Sequence, residues 1–95
     1  MSFKGATRST RRDANEPIII EALEAAGCVV LKLSGLGLPD LAIFKGDRLL
    51  ALAEVKMRHG RLTQAQIRWR AQWHGPAPVE LRSVEDALAL VRTSR

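Results

Sequence analysis

Glu54 and Lys56 stand two residues apart at the end of an apolar run, Leu49 to Val55, whose composition predicts a strand. At that spacing both side chains leave a strand on the same face. Two charges at the end of an apolar strand cost free energy unless they are paired, solvated or bound to metal. Alone, the pair reads better as a strand end where a Glu and a Lys simply reach water. Asp40 alters the balance, because it opens a second apolar run, Leu41 to Phe44, joined to the first by the turn-like Lys45-Gly46-Asp47-Arg48. A three-residue loop of Gly46, Asp47 and Arg48 pairs Lys45 with Leu49 and sets Asp40 opposite Glu54. Facing partners have Cβ atoms roughly 4.5 to 5.5 Å apart, near enough for both carboxylates to reach one hard cation. A two-residue loop would put them on opposite faces, so the register is one that the chemistry requires and the turn only permits.

Paired carboxylates with few nitrogen or sulfur ligands suit Mg²⁺ or Mn²⁺ and not zinc. A cation so held can take a phosphate oxygen, acidify water and stabilise charge building on phosphorus, with Lys56 adding a positive point charge. The chemistry indicated is phosphodiester hydrolysis.

The charge balance points to the same substrate. Lys and Arg number 15 against 10 Asp and Glu, for a formal charge of +5, and the pI is about 10.4, the balance of a chain with a polyanionic partner. Lys4, Arg8, Arg11 and Arg12 precede the first acid, while Lys56, Arg58, Arg61, Arg68 and Arg70 crowd one later segment. Arg11, Arg12, Arg58, Arg61 and Arg68 are the candidate DNA contacts. The plainer alternative for any one of them is a solvated basic surface.

Length allows one core, with residues 1–12 as a flexible basic arm and 13–95 as the domain. No apolar run approaches the ~20 residues that span a bilayer, so no membrane role is expected. Cys28 lies in the apolar Cys28-Val29-Val30-Leu31 and reads as a buried thiol, which with the rest suggests a cytoplasmic protein. A single cysteine cannot staple so small a domain, so pairing with a second copy would help it.

The elements that must position the three residues follow in the order α-β-β-β-α-β-α. Asn15 as cap and Pro17 in the first turn start a helix, with Ile19, Ile20, Leu23 and Ala26 as its stripe and Gly27 as its stop. Glu16 falls on the inward side, where it is either a site acid or a first-turn acid favoured by the helix dipole. Cys28 to Leu33 predicts a strand, and Gly35-Leu36-Gly37-Leu38-Pro39 a plain turn delivering Asp40 to the next. Thr63 and Gln66 form a capping box, and Leu62 with Ile67 sit at hydrophobic-staple positions, for a helix running to about His74. On that helix Trp69 and Trp73 share a face, for core packing or a subunit contact. Val79 to Arg82 predicts a last strand, and Ser83 with Asp86 caps a final helix bearing Val84, Ala87, Leu88 and Val91.

Pro39-Asp40, Glu54-Val55-Lys56 and Gly60-Arg61-Leu62-Thr63-Gln64-Ala65-Gln66, with Asn15-Glu16 upstream and Arg82-Ser83-Val84-Glu85-Asp86-Ala87-Leu88 downstream, together resemble the VRR-NUC branch of the PD-(D/E)XK nucleases. The resemblance spans nearly the whole chain after residue 12. It implies an α/β, restriction-endonuclease-like core with a mixed β-sheet flanked by helices, and an Mg²⁺- or Mn²⁺-dependent DNA endonuclease. Asp40 and Glu54 would be metal ligands assisted by the Val55 carbonyl, Lys56 catalytic, Gln66 supporting, and Glu16 the acid of the first helix. Stand-alone members of that branch imply a homodimer acting on branched DNA such as four-way junctions or flaps. The alternative is a non-catalytic DNA-binding module on the same fold.

Overall fold

The computed structural model describes residues 13–94. Seven elements follow one another: α1 Glu16–Ala25, β1 Cys28–Lys32, β2 Leu41–Lys45, β3 Arg48–Val55, α2 Gln64–Gln72, β4 Val79–Leu81 and α3 Val84–Thr93. The order is the expected one. The strands form a single sheet, β1-β2-β3-β4, antiparallel from β1 to β3 and parallel between β3 and β4. The parallel pair needs a crossover, and α2 supplies it.

Alternation divides the sheet into two unlike faces. Cys28, Leu41, Ile43, Ala53, Val55 and Leu81 point to one side, where they join Ile19 and Leu23 of α1 and Ala87 of α3 in the core. Ile20, Leu90 and Val91 pack against it, so α1 and α3 together close this face. Glu21 and Glu24 face water, while Glu16, in the first turn, is only 2% exposed. Val29, Leu31 and Leu49 point to the other side and keep 57%, 51% and 45% of their area exposed. No residue of α2 is buried.

Two local expectations need correction. The β2–β3 turn has two residues, not three: Lys45 pairs with Arg48. Gly46 has φ 63 and, among the described residues, no non-glycine has positive φ, the pattern of a type II′ hairpin turn. The register that this turn starts would turn Asp40 and Glu54 to opposite faces. It does not persist, because the pairing shifts between Phe44↔Leu49 and Ile43↔Ala51, leaving Leu50 as an extra residue in a β-bulge. From there Leu41 pairs with Ala53, and the next step brings Asp40 beside Glu54. The extra residue thus sits in the strand instead of the turn, with the same result for the carboxylates.

The second correction concerns Asn15, which makes no side-chain capping bond to α1. Its amide donates to the carbonyls of Lys56 (3.0 Å) and Arg82 (3.1 Å). The residue ties the start of the first helix to the ends of β3 and β4.

Candidate active site

Glu54 is fully buried on the sheet face opposite the apolar core. Its Oε1 accepts a 2.8 Å hydrogen bond from Gln66 Nε2, whereas the buried Oε2 has no hydrogen-bond partner. The carboxyl is raised from 4.5 to about 7, first by burial, then by the negative charge of Asp40 and least by that of Glu80, with Arg70 and Lys56 pulling the other way. Glu80 is the register partner of Glu54 on β4. It is held aside by a 2.8 Å ion pair with Arg82.

Asp40 is placed where the β2–β3 ladder ends. Its N–H donates to the Ala53 carbonyl at 2.9 Å, and its Oδ2 accepts the Val55 N–H at 2.8 Å. The side chain thereby replaces a backbone acceptor and is pinned to the strand carrying Glu54. Lys56 follows with 9% of its area exposed. Its N–H donates to the Leu81 carbonyl at 3.1 Å and its own carbonyl accepts Asn15.

Gln66 joins local helix formation to the site. Its backbone N–H donates to Thr63 Oγ1 (3.1 Å) and its Oε1 accepts the Thr63 N–H (2.9 Å), completing the capping box. The remaining Nε2 reaches Glu54, so one amide serves helix start and carboxylate together. The helix is brought down by Gly37, whose φ is +83 and where a Cβ would stand 2.5 Å from the Ala65 carbonyl oxygen. The Gly35 to Pro39 segment is therefore more than a turn, because its backbone is the seat of α2.

The candidate DNA contacts Arg58, Arg61 and Arg68 are exposed. Arg11 and Arg12, with the rest of the proposed arm, lie outside the described residues. Arg82 Nη1 donates to the carbonyls of Met57, Arg58 and Gly60, gathering the loop after Lys56. Trp69 and Trp73 stack at 4.9 Å between ring centroids, and the Trp73 indole N–H caps the Pro76 carbonyl. They are not core residues, and Ile67, at 49% exposure, is no buried staple.

Sequence reasoning passed over Arg70 as an individual, and took Asn15 only as a cap. The four-residue step from Gln66 to Arg70, which sets both on one helix face, was the available signal.

Among the described residues no group of three or more His, Cys, Asp or Glu side chains is arranged to hold a metal ion. The candidate donors are a carboxylate pair, Asp40 and Glu54, and Glu16 does not extend it to such a group. The pair nevertheless fits a hard cation: a buried, unpartnered oxygen on Glu54 beside a second carboxylate is an arrangement that a divalent cation relieves. A small α/β domain with a four-strand mixed sheet, an acid pair and a lysine at one strand end is thus defined. No protein-family model, no curated protein and no solved structure matches the chain.

Proposed function

We propose that the protein is a divalent-cation-dependent DNA endonuclease built on a restriction-endonuclease-like core. The observation that carries the reading is the bulge-set convergence of Asp40 and Glu54, with Lys56 on the same face and a carboxylate oxygen left unbonded in a buried setting. The resemblance to VRR-NUC nucleases agrees with it. By that resemblance the substrate is branched DNA and the active form a homodimer.

Asp40 and Glu54 would hold Mg²⁺ or Mn²⁺, which when bound supplies Lewis-acid stabilisation of the phosphate. Gln66 holds Oε1 of Glu54 and would leave Oε2 for the cation. Lys56 orients the attacking water and offsets charge growing on phosphorus. The water oxygen forms the new bond to phosphorus as one ester P–O bond breaks. One water proton passes to solvent and the departing alkoxide takes one back, leaving a phosphomonoester and a hydroxyl.

A non-catalytic DNA-binding module has one observation on its side. Glu54 has no exposed area, a state that suits a protonated structural acid as well as a ligand. A panel of end-labelled branched and linear DNAs with Mg²⁺, Mn²⁺, Ca²⁺ or EDTA separates the two readings. Cleavage should require Mg²⁺ or Mn²⁺ and disappear in Asp40→Asn, with DNA affinity equal or higher because a negative charge is gone. DNA retained but uncut under every cation establishes the binding module instead.

A further inference from the structure

Arg70 lies in the last turn of α2, four residues after Gln66 and so on the same helix face. Gln66 is bonded to Glu54, which fixes that face over the site. The Nε and Nη2 atoms of Arg70 are buried and have no hydrogen-bond partner, and the same is true of Glu54 Oε2. Buried donors and a buried acceptor of opposite charge thus lie around one site without bonding to each other. Leaving such groups unbonded costs free energy on both sides, more for charged groups than for neutral ones. Arg70 is close enough to Glu54 for its charge to act on that carboxyl.

A single unit satisfies both: one with a positive end for the carboxylates and negative oxygens for the guanidinium. A divalent cation carrying a phosphate is such a unit, and a guanidinium fork matches the geometry of two phosphate oxygens. We propose that Arg70 is the clamp for the non-bridging oxygens of the DNA phosphate seated on the Asp40–Glu54 centre. The inference rests on the nuclease reading and adds the residue that holds the substrate phosphate.

A mere counter-charge to Glu54 would need only a positive group, whereas the clamp needs the planar fork. Arg70→Ala and Arg70→Lys therefore separate the two. Cleavage with Mn²⁺ and anisotropy binding of a short duplex with Ca²⁺ are measured for both variants and wild type, with thermal melting in Mn²⁺ reporting fold and cation binding. Arg70→Ala should lose about 100-fold in kcat/KM and bind the duplex more weakly, yet respond to Mn²⁺ in melting at least as strongly as wild type. Arg70→Lys should recover only a minor part of either loss. Should Arg70→Ala not fold, Arg70→Gln, which keeps bulk and donors without the fork, takes its place with the same expectation. Wild-type cleavage and binding in Arg70→Ala or Arg70→Lys overturns the clamp while the nuclease stands. If wild type cuts no DNA with any cation, the nuclease reading falls first and the clamp with it.

Discussion

The two faces of the sheet are built on different principles. On one, Leu41, Ile43, Ala53 and Val55 are sealed by Ile19, Leu23 and Ala87, all with 2% or less of their area exposed. On the other, α2 contributes no buried residue and is held by a glycine seat and one amide, Gly37 and Gln66. The first face supplies cohesion. The second buries the carboxyl of Glu54 at the expense of cohesion, and leaves Val29 and Leu31 open. The core and the proposed site thus lie on opposite sides of a layer one strand thick.

The strongest break in that comparison is chemical. Asp40→Asn keeps an oxygen for the Val55 N–H but loses a ligand charge, so cleavage should fall by about three orders of magnitude or more while melting temperature barely moves. A melting shift as large as that of a core variant would show that the site face also carries stability. The opposite pattern belongs to Ile43→Ala on the sealed face, which should cost about 3 kcal/mol in urea unfolding. The fraction that remains folded should still cut.

The pH dependence sharpens the contrast. Glu54 holds its proton up to about pH 7 in the folded chain and, when unfolded, only to its ordinary 4.5. Between those values the folded state binds more protons than the unfolded one, so unfolding free energy falls as pH rises. The contribution is present below about 4.5 and gone above 7, and amounts to at most about 3 kcal/mol. Glu54→Gln should flatten this part of the profile. Mn²⁺, which competes with the proton, should raise the melting temperature of wild type at pH 8 and leave it unchanged at pH 5.

Smaller effects test how α2 is seated. Gly37→Ala combines a positive φ with a collision at the Ala65 carbonyl, and should cost about 2 kcal/mol. Its cleavage rate should drop further than stability alone explains, because lifting α2 withdraws Gln66 from Glu54. Smallest of all, Leu31→Thr on the open face should change stability by no more than about 0.5 kcal/mol.

Legibility in the sequence followed the range of the signal. The capping box of Thr63 and Gln66, the α1 stripe and the seven elements in order were all readable, because each is written in residues a few positions apart. The bulge was not. Nothing near Leu50 marks it, although it sets the phase of Glu54 against Asp40, ten residues before Leu50. Asn15 looked like a cap because its local context is that of one, but its amide is claimed by carbonyls 41 and 67 residues away. Gly37 was read as a turn residue for the same reason, its partner being a helix on the far side of the hairpin. The carboxylate pair was found only by adopting the register that chemistry demanded, and the assumed loop length behind it was wrong.

Leu50 gives the hairpin a spare link. Pairing on either side of it, Phe44↔Leu49 and Ile43↔Ala51, would join without a shift if it were removed. The tip and the base of the hairpin are therefore mechanically decoupled: one residue of slack can lie in the turn or in the strand, and Asp40 still meets Glu54. A lineage could lengthen, shorten or re-sculpt this tip while the acids at its base stay in phase.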